Sequence, residues 1–214
     1  MKKTTIACIV TLLILNACTQ KQNAQTQQAA PEPSTPTAAA DTATLTTFDF
    51  NKVPVSNKEI GNFPYLAAPE GYEYKNEKSK NYEEKYFFYS DSLVTKISGK
   101  YFFANIYKNE TNKNLYEKTF VVKSYTEAIE NLGAVQIHNG TIPDKGQDLI
   151  NKEAPAYFKD ELNNDFSRKN KQFLLRTSQG NIWFELSVHD RDDEVFLTVL
   201  QEKGFKQTIA VPKG

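Results

Sequence analysis

The sequence is poor in the residues that most often carry chemistry. Its 214 residues include two cysteines, two histidines, one tryptophan and one methionine. Cys8 lies within an apolar N-terminal segment, and Cys18 lies just beyond that segment. The chain after Cys18 has no thiol, which excludes a disulfide framework, a cysteine-based zinc site and a cysteine nucleophile from that region.

The sequence also lacks an excess of charge of either sign. It contains 26 basic and 26 acidic residues. Domains that bind nucleic acid usually carry a clustered basic excess, so we expect no nucleic-acid partner. The catalytic serine, zinc-protease and P-loop patterns are missing as well, so no motif predicts an enzyme, a metal or a cofactor. We therefore expect a protein that is not an enzyme and that holds no cofactor.

The N-terminus has the form of a secretion signal. Two lysines precede a short apolar run, residues 6–15, which falls well below the roughly 20 residues that a membrane-spanning helix needs. The following quartet "LNAC" resembles the lipobox of bacterial lipoproteins. That resemblance implies cleavage after Ala17 and acylation of Cys18. We predict a lipoprotein signal peptide over residues 1–17.

The residues after the signal predict a tether that carries the lipid anchor. Residues 18–45 are rich in Gln, Thr, Ala and Pro, a composition typical of disordered segments. Several acyl chains on Cys18 would hold the protein at a membrane, whereas one chain binds only marginally. The residue after the lipidated cysteine is Thr19 and not an Asp. By resemblance to the sorting rules of Gram-negative lipoproteins, this indicates the outer membrane. The remaining residues, 46–214, are expected to form one globular domain.

The composition of this domain favours an α+β fold. Residues 85–107 contain "KYFFY", "LVTKI" and "YFFANIY", which we interpret as three strands joined by turns at "SDS" and "SGK". "KTFVV" predicts another strand. The segments "QFLLRT", "NIWFELSVH" and "EVFLTVLQE" predict three strands in two hairpins. We expect an antiparallel β-sheet with two or three helices packed on one face.

Three segments have helical signals. Residues 56–59 have the form of a capping box, and Gly61 is placed to end a helix of about one turn. A second capping box, residues 124–127, begins "TEAIENLG", with Gly133 at its end. A third segment, residues 146–166, has helical tendency that Pro155 should interrupt.

The order of these motifs resembles the N-terminal domain of Gram-negative OmpA-family lipoproteins. The resemblance is carried by "VPVSNKEIGNFPYLAAPEGY", "AIENLGAVQIHNGTIP" and "IWFELSVHDRDDEVFLTVLQEKGFKQTI". It implies a similar fold and an envelope location, and it assigns no binding residue. In that family a C-terminal OmpA-like domain grips peptidoglycan. The sequence stops directly after the resembling region, so we do not expect peptidoglycan binding.

The polar candidates for a site are few. His138 and His189 each end a predicted strand and would form a catalytic pair only if those strands were neighbours. The acidic loop, residues 190–194, offers carboxylates of the kind that Ca²⁺ prefers, without the spacing of an EF-hand. A solvated hairpin turn is the favoured interpretation of this loop, with calcium binding as the alternative.

Aromatic residues on the strands suggest a partner surface. Consecutive residues of a strand point to opposite faces, so Phe88, Phe103 and Trp183 are expected on the face that the main core leaves open. An open aromatic face is typical of a site for a partner or a ligand.

The leading hypothesis is an outer-membrane lipoprotein that binds another envelope protein, in the periplasm or at the cell surface, through this aromatic face. The alternatives are a carrier of a lipid or glycan, which needs a cavity, and a hydrolytic enzyme that uses His138 and His189.

Overall fold

The computed structural model describes residues 49–89, 93–153, 166–191 and 193–209. The predicted signal peptide, Cys18 and the tether lie outside these residues, as do Pro155 and Asp192. In the described part of the chain, strands and helices follow one another in the order expected for an α+β fold. The elements are β1 (Val55–Ser56), β2 (Tyr72–Tyr89), β3 (Leu93–Lys108), α1 (Lys118–Asn131), β4 (Val135–Gly140), α2 (Asp144–Glu153), β5 (Lys169–Thr177), β6 (Gly180–Val188) and β7 (Val195–Glu202), after a 3₁₀ turn over Phe50–Lys52.

The strands form one mixed sheet in the order β1-β5-β6-β7-β3-β2, and β4 pairs with β5 beyond this path. Every pairing is antiparallel except that of β1 with β5, which is parallel. The α+β class is therefore confirmed, and the expectation of a purely antiparallel sheet is wrong. The C-terminal hairpins β5–β6 and β6–β7 are confirmed as well.

Helix α1 covers one face of the sheet, here called the α1 face. The buried side chains of α1 are Val121, Tyr125 and Ile129, which recur every four residues and so share one side of the helix. They pack against alternate residues of the central strands. The sheet residues of this cluster include Phe102, Phe173, Phe184, Leu186, Leu197 and Val199.

The end of the β2–β3 hairpin covers the opposite face, here called the hairpin face. Both strands of the hairpin are long, and the pairing shifts between Lys75 and Lys78 and between Lys80 and Glu83. Such bulges bend a strand. Phe87 reaches Trp183 of β6, with ring centroids 4.9 Å apart, although β3 and β7 separate their strands in the sheet. The hairpin therefore bends back across the sheet.

The two helices lie on different faces of the sheet. Ile150 of α2 clusters with Tyr101 and Phe103, whose neighbour Phe102 belongs to the α1 face. Because successive side chains of a strand alternate between faces, α2 packs on the hairpin face. The expectation that the helices share one face is wrong.

Three local predictions are also wrong. Residues 56–59 form no helix, because Ser56 belongs to β1, and its hydroxyl donates to the carbonyl of Leu132. "SGK" makes no turn, since β3 runs through Gly99. "KTFVV" is the first turn of α1 and the start of its second, because Val121 packs with the helix residues that follow it.

Candidate functional site

A cavity of about 300 Å³ lies between the end of the hairpin and the hairpin face of the sheet. We call it the hairpin cleft. Apolar and aromatic side chains dominate its walls. They are Phe50, Phe87, Phe88, Tyr89, Leu93, Val94, Thr95, Ile137 and Trp183. Small-molecule sites in proteins are mostly apolar concavities of about 300 to 1,000 Å³, so the cleft lies at the small end of that range.

Trp183 forms the sheet side of the cleft and is held from both ends. Its indole nitrogen donates to Oε2 of Glu202, 3.1 Å away on β7. Its ring meets Phe50 edge to face at a centroid distance of 5.9 Å, and Phe87 from the hairpin at 4.9 Å. These contacts fix the orientation of the indole, so it forms a rigid wall.

The N-terminal turn supplies the Phe50 side of the cleft. Asp49 caps this turn through a hydrogen bond from the backbone of Asn51. Arg176 of β5 clamps the turn to the sheet, because its Nη1 donates to the carbonyl oxygens of Phe50, at 2.6 Å, and Val53, at 2.9 Å. A charged donor strengthens such bonds.

A buried polar network holds the hairpin over the sheet. Nζ of Lys85 lies 2.9 Å from Oε1 of Glu185, and Nε2 of Gln172 donates to Oε2 of Glu185 at 2.6 Å. Gln172 also accepts a hydrogen bond from the backbone nitrogen of Phe88 at 2.7 Å and donates to the carbonyl of Tyr86. The position of the hairpin, and with it the shape of the cleft, is therefore fixed by specific contacts.

The three aromatic residues predicted to form an open face are buried. Trp183 is 1% exposed, Phe88 is 2% exposed and Phe103 is 9% exposed. The expectation that they are exposed is wrong, because the hairpin and α2 cover their face. Phe88 and Trp183 nevertheless line the hairpin cleft, whereas Phe103 packs against Phe196 elsewhere in the core.

The structure does not bring the two histidines to adjacent strands. His138 lies on β4 and His189 directly follows β6, and β5 separates those strands. Nε2 of His138 donates toward the carbonyl oxygens of Gly140 and Thr141, and its ring contacts Phe88. The His189 ring contacts the hydroxyl of Ser167. The described contacts of the two rings are therefore with different segments of the chain.

Two described carboxylates of the acidic loop, those of Asp190 and Glu194, face basic side chains. Asp190 lies 2.9 Å from Nζ of Lys169, and the hydrogen bond from this lysine holds the pKa of Asp190 below its ordinary value. Glu194 accepts from Arg168 at 2.9 Å. No group of three or more potential metal ligands occurs among the residues that the structure describes. Asp192, part of the calcium hypothesis, lies outside them.

Sequence reasoning missed the residues that shape the cleft. Lys85, Gln172 and Glu185 are polar residues within otherwise apolar strands, a pattern that is equally typical of solvent-facing positions. One signal was available, since Trp183 and Glu185 share a face and a tryptophan is seldom left in water. Phe50 precedes all the predicted elements, and no pattern in the sequence connects it to Trp183.

Comparison of the chain with family models, curated proteins and solved structures gives no match. Within the described residues, no helix has the length and apolar character needed to cross a membrane.

Proposed function

We propose that this protein is a lipid-anchored, non-enzymatic component of the outer membrane that binds a small apolar ligand in the hairpin cleft. The observation that carries the proposal is the cleft itself, a concavity of about 300 Å³ walled by Phe50, Phe87 and Trp183. The carrier hypothesis requires a cavity, and the described residues supply one.

The cleft favours a small molecule over a flat protein surface. The aromatic residues that the partner hypothesis needs are buried, and Phe88 and Trp183 line the cleft. Its walls hold few polar groups, so apolar contact supplies most of the affinity, at roughly 25 cal/mol for each Å² removed from water. Binding of an envelope protein remains a prediction that needs another surface.

Trp183 is the natural reporter for the binding test because it is the only tryptophan of the chain. Its emission is measured on the full-length lipidated protein in a nonionic detergent during titration with cyclohexanol and benzyl alcohol. These probes are uncharged, so lysine side chains elsewhere do not attract them. We expect a saturable change in the emission of Trp183.

A variant that fills the cleft gives the specificity of this test. Thr95 lines the cleft and pairs with Phe87 across the two strands of the hairpin. Thr95→Phe should occupy the space of the cleft and abolish the saturable change in emission. Ser79→Phe adds the same ring to an exposed position of the same hairpin and should leave binding intact. If both variants and the parent respond alike, the emission reports detergent and the binding proposal fails.

The anchoring part of the proposal rests on Cys18 and the "LNAC" resemblance. Metabolic labelling with palmitate and membrane fractionation test it in a Gram-negative host. Cys18→Ser should lose the label, whereas Cys8→Ser should keep both the label and the outer-membrane position. Equal labelling of the two variants would overturn the assignment of Cys18.

A further inference from the structure

A second cavity, of about 390 Å³, lies on the α1 face of the sheet beside helix α1. Four lysines line it, two from α1 and two from β5, and we call it the lysine groove. The polar residues of its wall that matter here are Lys118, Lys123, Lys169, Lys171, Thr126 and Asn139. Val122 and Val188 complete an apolar floor beneath them.

Two of the lysines lie at the beginning of β5, at the alternate positions that apolar residues occupy further along the strand. Lys169 and Lys171 alternate along the strand with the same parity as Phe173, which is buried beneath α1. They therefore point to the α1 face, just beyond the apolar core. Lys118 and Lys123 approach from the beginning of α1. Neutral overall charge in the sequence conceals this local concentration.

Two of the groove's lysines form ion pairs with carboxylates near its rim. Asp190 pairs with Lys169 at 2.9 Å, and Glu127 approaches Lys123 at 3.6 Å, and both carboxylates are exposed. Among the described residues Lys171 has no carboxylate partner, so its positive charge is not offset there. No carboxylate lines the groove among the described residues. Nζ of Lys118 donates to the carbonyl oxygens of His189 and Asp190, which fixes one lysine in place.

Neutral donors accompany the charges. The hydroxyl oxygen of Thr126 is buried and has no hydrogen-bond partner within the described part of the chain. A buried hydroxyl without a partner is costly, so a ligand oxygen at this position would be stabilised. Asn139 supplies an amide at the opposite wall. The first turn of α1, a helix of 14 residues, adds the positive end of its dipole, and its N-cap residue Glu117 makes no side-chain cap.

We propose that the lysine groove binds the phosphate group of a phosphorylated ligand. Lysine ammonium groups bind phosphate as point charges, and the hydroxyl and amide donors suit its remaining oxygens. The same chemistry is offered by a soluble phosphorylated molecule and by the headgroup of an anionic phospholipid. The groove lies on the face of the sheet opposite the hairpin cleft. A test of phosphate binding is therefore independent of the test of apolar-ligand binding.

Two forms of phosphate test the proposal on the full-length lipidated protein in a nonionic detergent. One arm titrates inorganic pyrophosphate by calorimetry. The other measures association with micelles of the same detergent that contain phosphatidic acid, against micelles that contain phosphatidylcholine. Saturable binding in either arm supports phosphate recognition, and the arm that binds identifies the source. Absence of binding in both arms at millimolar concentration would overturn the proposal.

Variants assign the binding to the groove. Lys123→Gln combined with Lys171→Gln should weaken binding about tenfold, because each charge-assisted hydrogen bond contributes substantially to affinity. Thr126→Val keeps the shape of the side chain, removes only the hydroxyl and should weaken binding about threefold. The matched control is Lys203→Gln with Lys206→Gln, which removes the same charge from exposed positions outside the groove. Equal weakening by the control would show nonspecific attraction and overturn the assignment.

Discussion

The ammonium nitrogen of Lys85 lies 2.9 Å from a carboxylate oxygen of Glu185, and both side chains are at most 5% exposed. The two residues belong to strands that are not neighbours in the sheet, so this ion pair forms only when the hairpin bends back over β6. Gln172 completes the network through its hydrogen bond to Glu185. The pair thus fixes the fold of the hairpin and the walls of the cleft.

Removing one charge of this pair should destabilise the protein strongly. Lys85→Met leaves Glu185 buried without its ion-pair partner, and we expect a loss of about 3–5 kcal/mol in the free energy of unfolding. The double variant Lys85→Met with Glu185→Leu removes both charges and should recover most of that loss. Urea unfolding monitored by circular dichroism measures both.

An exposed ion pair is the control for this experiment. Lys75 lies 2.8 Å from Glu73, and the Lys75 side chain is 54% exposed. Lys75→Met should change the free energy of unfolding by less than about 1 kcal/mol, since water already solvates both charges. Equal losses at Lys75 and Lys85 would contradict the structural role of the buried pair.

Replacing Trp183 tests core packing before it tests any partner. The side chain is 1% exposed and fills the space between Phe50 and Phe87. Trp183→Ala should therefore cost about 3–5 kcal/mol of stability. Any loss of partner binding in that variant would follow from this destabilisation alone. A change below about 1 kcal/mol in urea unfolding would show that the tryptophan is not part of the core.

The C-terminal hairpins were predictable from local pattern. In β6, Ile182, Phe184 and Leu186 alternate with Trp183 and Glu185, and a glycine-containing turn precedes the strand. Strand identity and the division of residues between two faces follow from this alternation. The pattern does not say what covers each face. That information resides in contacts between distant parts of the chain, such as the ring contact of Phe87 with Trp183.

The start of α1 shows why composition misled the strand prediction there. "KTFVV" is rich in β-branched and aromatic residues, which favour strands. Val121 is followed at helical spacing by Tyr125 and Ile129, and all three are buried against the α1 face. This tertiary burial outweighs a propensity difference of a few tenths of a kcal/mol per residue.

The lysine groove shows the corresponding limit for site prediction. Lys171 is separated by many residues from Lys118 and Lys123, and the packing of α1 on the sheet brings them together. The net charge of the sequence averages this cluster with acidic residues elsewhere. A site made of ordinary surface residue types has no spacing signal, unlike a metal or phosphate-loop motif.

The buried phenol of Tyr74 should make the free energy of unfolding decrease as pH rises above 10. Burial raises its pKa from 10.0 to about 12, and its hydroxyl donates to the carbonyl of Leu66 at 3.1 Å. Because the folded-state pKa is the higher one, this contribution is complete below pH 10. It is lost as pH rises toward 12, where the unfolded chain ionises first. We expect Tyr74 to account for a loss of about 2 kcal/mol by pH 12.

Comparison with Tyr74→Phe isolates this contribution. The variant should lose about 1 kcal/mol at neutral pH, where the hydrogen bond is missing, and should depend less steeply on pH above 10. Urea unfolding between pH 8 and 11.5, with phenolate absorbance followed in parallel, measures both effects. Parallel stability curves for the two proteins would show that Tyr74 ionises as easily in the folded state as in the unfolded state.

Position 99 of β3 has no room for a side chain, which accounts for the glycine there. A substitution at Gly99 therefore tests how closely β3 approaches β7. A Cβ at this position would overlap the carbonyl oxygen of Gln201 and lie 2.9 Å from the backbone nitrogen of Lys203. Both neighbours are backbone atoms of β7 and its continuation, and the nitrogen of Lys203 already bonds to the carbonyl of Ser98. Gly99→Ala must push the two segments apart, and we expect a loss of about 3 kcal/mol.

Gly140 of β4 is the control for this prediction. An added Cβ at Gly140 meets only the ring of His138, at 3.9 Å, so Gly140→Ala should change stability by less than about 0.5 kcal/mol. Thermal unfolding measures the midpoints of the two variants, and an unchanged midpoint for Gly99→Ala would contradict the close approach of β3 to the end of β7.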